Sequence, residues 1–407
     1  MVTGECLAES AEVLPQGVFR TDLKYTHFFD IDERYNESGD TEDAATDFNA
    51  NLNSEVFPVL QLVESNFSMP SGSASIGDTL VSFDYSLNGL ELDLYYGLTN
   101  KLTVGIKVPY WWKKNKVSAA IDSGAGSSAT VGTNRDFGNP ASPLGAAPLI
   151  PLALGGVPFT DEDVQNLLTD GLVVNGVTLP GGFGYDRFET WSKDDIGDIE
   201  AGARYQYFKS DDWRLAFTGG IIFPTGDIND PDNLVDLSYG SGAYGLIFAF
   251  NNDYTKIDNW IFNATLRYDW MLTDDDVTQR VPESSNEPIT ARTEVVDRDV
   301  GDLFWVDLQA AYTPDGTSSY AINYKYTTKQ KDDISGSSNL SYKGLEDETD
   351  SEQHLIILGY TYSNLAKYMR TKQGIPFKVG INYRNRFDGK NNALKSQYIQ
   401  TAFTVFF

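Results

Sequence analysis

The chain has 407 residues, with 58 acidic against 31 basic ones and a formal net charge of −27; nucleic-acid binding needs a basic footprint, so that class is excluded. A single cysteine, Cys6, leaves no internal disulfide, and with two histidines (His27 and His354) and no Cys/His spacing there is no zinc site or haem attachment to build, so no cofactor is expected. No run reaches about 18 consecutive apolar residues, so no transmembrane helix is expected, yet aromatics are abundant at 13%.

The first residues, "MVTGECLAESAEVLPQG", lack the basic start and apolar core of a signal peptide. Cys6-Leu7-Ala8 resembles a small-residue cleavage site. Residues 1–16 are read as an N-terminal extension, either the remnant of a secretory signal or a disordered segment.

From residue 17 to 407 the pattern is one of strands. They are expected near 17–29, 88–98, 101–117, 193–208, 212–224, 237–252, 258–272, 300–313, 317–330, 352–364, 374–387 and 395–407, about twelve in all. The stretch 78–87 either extends the second strand or adds structure of its own. Period-2 alternation is clearest in three places. In 102–112, Leu102, Val104, Ile106, Val108, Tyr110 and Trp112 share one face, with Thr103, Gly105, Lys107 and Pro109 on the other. In 260–270, Trp260, Phe262, Ala264, Leu266, Tyr268 and Trp270 alternate with Asn263, Thr265, Arg267 and Asp269. In 377–387, Phe377, Val379, Ile381, Tyr383 and Phe387 alternate with Lys378, Gly380, Asn382, Arg384 and Arg386.

A soluble sandwich alternates too. These strands are longer, roughly 10 to 18 residues against a mode of about 5–6 in globular proteins, and their apolar faces end in Trp and Tyr, which belong at headgroup depth. Connections alternate in length as well. "GLTN" (97–100), "KSDD" (209–212), "NNDYTK" (251–256) and "TPDG" (313–316) are short turns, and Gly97 and Asn100 are expected to supply positive φ. The loops 30–87, 118–192, 225–236, 273–299 and 331–351 are long. This predicts an all-β, transmembrane, antiparallel up-and-down barrel in the outer membrane, with short periplasmic turns and long extracellular loops. The terminal strand "YIQTAFTVFF" alternates to its last residue, as a strand does when it pairs with the first and closes the barrel. Its final Phe407 resembles the signal read by the barrel assembly machinery. Membrane lipid and lipopolysaccharide are then expected neighbours.

Four segments carry a family resemblance: "YYGLTNKLTVGIKVPY" (95–110), "DIGDIEAGARYQYF" (195–208), "LAFTGGIIFPTGD" (215–227) and "YGSGAYG" (239–245). Together they resemble the outer-membrane family named for the meta-pathway of phenol degradation. The resemblance implies a barrel and a channel or transporter for small hydrophobic or aromatic solutes; it implies no catalytic residue. It leaves the long loops 30–87 and 118–192 uncovered.

If the apolar face of each strand meets lipid, the other lines the lumen. That face carries Arg20, Asp22, Lys24, Glu91, Asp93, Lys107, Asp198, Glu200, Arg204, Arg214, Arg267, Asp269, Asp307, Lys325, Lys378, Arg384 and Arg386, ten basic and seven acidic. The excess acid therefore lies in loops such as 29–47, whose carboxylates lack the order of an EF-hand. Two readings of the lumen stay open: a self-satisfied ladder of ion pairs, or a path whose basic excess favours anions.

Loop 118–192 holds the apolar run "LGAAPLIPLALGGVP" (144–158) and then a short helix that Thr160 caps with Asp163, leaving Val164, Leu167 and Leu168 as a stripe. Leu149, Ile150, Leu152 and Leu154 are the candidates for a constriction at the extracellular mouth, because so apolar a run does not lie free in water. An enzyme is not expected, since neither histidine has a recognisable nucleophile beside it. The alternative to a channel is a barrel scaffold that docks or sheathes a protein partner such as an electron carrier.

Overall fold

The computed structural model describes residues 10–133, 149–174, 177–178, 182–283, 287–338 and 340–407. Cys6-Leu7-Ala8 and the first part of the 144–158 run lie outside the described residues.

Twelve strands form one closed antiparallel barrel. They are β1 (Phe19–Phe28), β2 (Ser75–Thr99), β3 (Leu102–Asp122), β4 (in two pieces, Trp191–Ile196 and Ile199–Lys209), β5 (Trp213–Phe223) and β6 (Gly245–Tyr254). Then follow β7 (Trp260–Met271), β8 (Leu303–Tyr312), β9 (Ser318–Lys329), β10 (Ser351–Ser363), β11 (Phe377–Lys390) and β12 (Gln397–Phe406). Each strand pairs with its sequence neighbours, and β1 pairs with β12 from Arg20↔Phe406 to Phe28↔Tyr398, so no edge is left open. The ladder reaches the last residue: the Phe407 N–H donates to the Phe19 carbonyl at 2.8 Å, and the Phe19 N–H to the Phe407 carbonyl at 3.0 Å.

In β7 the odd residues Ile261, Asn263, Thr265, Arg267 and Asp269 are buried, while Trp260, Phe262, Leu266, Tyr268 and Trp270 are exposed. A water-soluble domain would show the opposite. Exposed apolar faces on every wall of a closed barrel are what a bilayer requires; among the described residues no helix is long and apolar enough to cross one.

The periplasmic turns are short because antiparallel neighbours need little chain to reverse. In the turn after β8, the backbone N–H groups of Ser318 and Thr317 donate to Asp315, holding its carboxylate down to about 2. The turn after β2 works differently from the expectation. Neither Gly97 nor Asn100 has a positive φ. Gly97 is required instead by a close approach: a Cβ there would lie 2.0 Å from the Pro15 carbonyl oxygen. The turn between β10 and β11 holds a helix, Leu365–Thr371.

Three strand limits differ from the sequence expectation. Loop 30–87 is shorter, because β2 begins at Ser75, and β3 runs on to Asp122. The strand expected at 237–252 starts only at Gly245. Residues 239–243 are held instead by Asp198, which accepts from the N–H of Ser241 at 2.7 Å and of Gly226 at 3.1 Å.

Above the membrane the long loops build a cap with cores of its own. The helices α1 (Leu60–Phe67) and α2 (Asp161–Leu168) pack Leu60, Val63 and Leu167 with Phe57, Ile76, Val131, Leu149 and Phe159. Thr160 and Asp163 form the expected reciprocal capping box of α2. Glu64 is tied into this core. Its burial favours the neutral acid, but hydrogen bonds from the Ala74 N–H at 3.0 Å and from donors at Ser54, Gly72 and Ser73 outweigh it and hold its carboxyl below the usual range. A second cluster, Ile31, Ala44, Ala45, Val81, Phe83, Tyr85, Phe188 and Val235, joins the cap to the extracellular mouth.

Candidate functional site: the barrel lumen

The register fixes which side chains meet inside. Lys24 lies opposite Glu91, Asp93 opposite Lys107, Lys107 opposite Glu200, and Ala249 opposite Arg267. Three levels follow one another along the axis.

At the periplasmic end the chain turns back into its own barrel. The Ser10 hydroxyl donates to Asp253 at 2.7 Å, and the Ala11 N–H to the other oxygen of that carboxylate at 3.1 Å. Arg204 and Gln206 donate to the carbonyls of Ser10 and Ala11, both at 2.8 Å. The Leu14 N–H reaches the Thr103 hydroxyl at 2.8 Å, and Glu12 lies 3.5 Å from Arg214. Ala11 is fully buried. Residues 10–16 thus cross the lumen floor. Their short mixed sequence has no periodicity that would have shown this.

The middle level is a belt of ion pairs. Lys24 bridges Glu91 at 2.6 Å and Asp93 at 2.7 Å. Glu200 meets Lys107 at 3.4 Å and Arg267 at 2.9 Å, and Arg267 also holds Asp269 at 2.7 Å. Glu200 on β4 thus reaches Arg267 on β7 past the inward residues of β5 and β6, among them Gly220, Ile222, Ile247 and Ala249. The Arg267 guanidinium lies 4.2 Å over the Trp305 ring, and the Lys325 ammonium 3.8 Å from it.

Above the belt the lining turns aromatic. Phe28 stacks on Tyr398 with centroids 4.2 Å apart and lies 6.4 Å from Trp111. Gly89 makes the room: a Cβ there would come within 2.6 Å of the Trp111 ring. Higher still, Phe48, Phe83 and Phe188 form one cluster with centroids 5.1–6.1 Å apart.

The charged residues named from the sequence fall on the inner faces of their strands, with one exception. Asp198 lies in the break between the two pieces of β4 and pins the loop after β5. Lys378 sits beside Phe406, at 5.6 Å from its ring. Asp307 accepts from Asn323 across the β8–β9 pair. Of the constriction candidates, Leu149 is buried in the core of the cap, Ile150 is buried as well, Leu152 lies against Gly132, and Leu154 is 57% exposed. Phe28 and Leu87 pack at the edge of a buried cluster that holds Val81, Phe83 and Tyr85, where the barrel meets the cap. The odd-numbered apolar run Val81, Phe83, Tyr85, Leu87 was the signal that could have found them.

Both histidines lie on the outer wall near the extracellular rim. His27 contacts Asn88 at 2.8 Å, and His354 contacts the Tyr324 hydroxyl at 2.7 Å. Among the described residues no group of three or more His, Cys, Asp or Glu could hold a metal ion.

The family model described as "Putative MetA-pathway of phenol degradation" matches residues 153–366, just over half of the chain. Among solved structures, the chain is similar to an outer membrane channel from Pseudomonas putida F1, with 13% identity and a TM-score of 0.53 over 99% of this chain and 100% of that one. Lower scores relate it to a FadL homologue from Pseudomonas aeruginosa (10% identity, TM-score 0.33, 96% of this chain and 90% of that one). The same holds for the TodX deltaS2S3 mutant monoaromatic hydrocarbon channel (12% identity, TM-score 0.35, 97% and 90%). The likeness to the first shows the fold, an outer-membrane β-barrel; the other two are too distant to carry an argument. No curated protein matches the sequence.

Proposed function

The chain belongs to the family of the MetA-pathway of phenol degradation, and on that premise we propose that it is an outer-membrane channel for small hydrophobic or aromatic molecules. One observation carries this reading. Between the cap and the ion-pair belt the lumen is lined by Phe28, Tyr398 and Trp111, an aromatic surface inside a barrel whose other inward residues are mostly polar. An aromatic solute gains stacking worth about 0.5–1.5 kcal/mol per ring pair.

The test is uptake of a labelled monoaromatic hydrocarbon by cells whose outer membrane does or does not contain the chain. Uptake should rise with the chain and fall severalfold in Phe28→Ala/Trp111→Ala. Equal uptake with and without the chain would refute the channel reading.

A further inference from the structure

The lumen charges divide unevenly around the barrel. On β1 to β4 and on β7, cations and carboxylates satisfy one another in the belt described above. On β11 the two guanidiniums Arg384 and Arg386 occupy alternate, inward positions, and among the described residues neither makes an ion pair with a carboxylate. Arg384 donates to the Gln400 side-chain oxygen at 2.7 Å and lies 5.7 Å over the Tyr398 ring. Gln400 is itself fixed by a 3.1 Å hydrogen bond to Thr26. Arg386 donates to the Leu394 carbonyl, and its own carbonyl accepts from the Tyr35 hydroxyl at 3.2 Å. The Nε of each arginine is buried and, among the described residues, has no hydrogen-bond partner. Across β10 their neighbours are Leu355 and Ile357, both buried.

Two adjacent cations with buried, idle donors and no counter-charge are costly in a lumen sheltered from water. The cost falls when an anion docks, and a carboxylate matches the guanidinium fork. The wall beside them supplies the rest of a solute's surface: Tyr398 and Phe28 are stacked next to Arg384, with Ile357 across the strand. We infer that Arg384 and Arg386, with the Phe28–Tyr398 stack, form a lumen subsite for a monocarboxylate carried on a small aromatic or alkyl body. This rests on the channel reading and names the head group that the channel prefers.

The test uses the full chain folded in detergent, with benzoate as probe and benzamide as its neutral isostere. Binding is followed by tryptophan fluorescence, since Trp111 and Trp305 line the lumen. Benzoate should bind about tenfold more tightly than benzamide, the gain expected of a charge-assisted hydrogen bond over a neutral one. Arg384→Gln and Arg386→Gln should each reduce that preference, and the double variant should abolish it while benzamide binding stays within about twofold. Benzoate affinity of the unaltered protein should also fall as KCl rises, with benzamide unaffected. Equal affinity for the two probes, salt-independent benzoate binding, or a benzoate preference that persists in a folded double variant would each overturn the inference. If the hydrocarbon uptake described above holds while benzoate is not preferred, only this inference fails; if that uptake fails as well, the channel reading goes with it.

Discussion

The lower and upper halves of β2 follow opposite rules. In 89–97 the even residues Leu90, Leu92, Leu94 and Tyr96 point outward, and the inward positions hold Glu91, Asp93 and Tyr95. In 78–88 the outward even positions become, apart from Leu80, polar (Asp78, Ser82, Asp84, Ser86 and Asn88), and the inward ones include Val81, Phe83, Tyr85 and Leu87. β3 changes over at the paired position: outward Tyr110 and Trp112 give way to Lys114, Lys116 and Ser118. The backbone does not change; the strand is one ladder throughout. What changes is the solvent outside. Lipid rewards apolar side chains on the outer face, while water sends them inward to bury against the cap. The swap of parity near residues 87–90 therefore marks where the strand leaves the bilayer, and it can be tested by placing the same change on either side.

The largest effect is expected at Phe83, in the upper half. It is 4% exposed and packs against Phe48, Tyr85 and Phe188. Phe83→Ala should cost about 3–5 kcal/mol of local stability. The loss should be confined to the cap: loops 30–74 and 123–190 become protease-sensitive, while heat-modifiable gel mobility of the barrel is kept. Loss of barrel mobility at the same temperature would show that cap and barrel unfold as one unit.

That division also explains what the sequence made legible. Alternation with apolar residues on one constant face identified the membrane halves of the strands, down to which charges share a face. At 78–87 it left open whether the second strand extends, as it does from Ser75, since the apolar residues there lie on the opposite face from those of 89–97. Gly97 was misread because a glycine needed for a neighbour's approach and one needed for positive φ look identical in sequence. The helix cap at Thr160 was legible because its chemistry is local. The Glu200–Arg267 pair was not, because it joins β4 to β7 across two intervening strands. Nor did residues 10–16 reveal their place in the lumen floor, since backbone groups make most of their contacts.

The second effect belongs to the lower half. Leu92 points outward within the bilayer and is 37% exposed. Leu92→Arg should destabilise the folded barrel by about 2–4 kcal/mol if it lies near the midplane, measured by urea unfolding in lipid vesicles. An unchanged midpoint would place Leu92 outside the hydrocarbon.

The smallest effect is the most discriminating. Leu80 lies on the same strand, has the same parity as Leu92 and is 59% exposed. By residue type and face the two are equivalent, and a sequence pattern alone gives them the same cost. By the parity swap they differ: the outward neighbours of Leu80 are Asp78 and Ser82 on its own strand and Ala120 opposite, so its outer side meets water or lipid headgroups. Leu80→Arg should then change stability by no more than about 0.5 kcal/mol, the range of ordinary surface substitutions. Arg at this position can also pair with Asp78 or Asp122, which offsets part of the lost apolar contact. Measured in the same vesicles as Leu92→Arg, the pair cancels differences in expression and refolding. A cost for Leu80→Arg equal to that for Leu92→Arg would mean that hydrocarbon reaches past residue 88, and the inward aromatic run would then need a cause other than water on its far side.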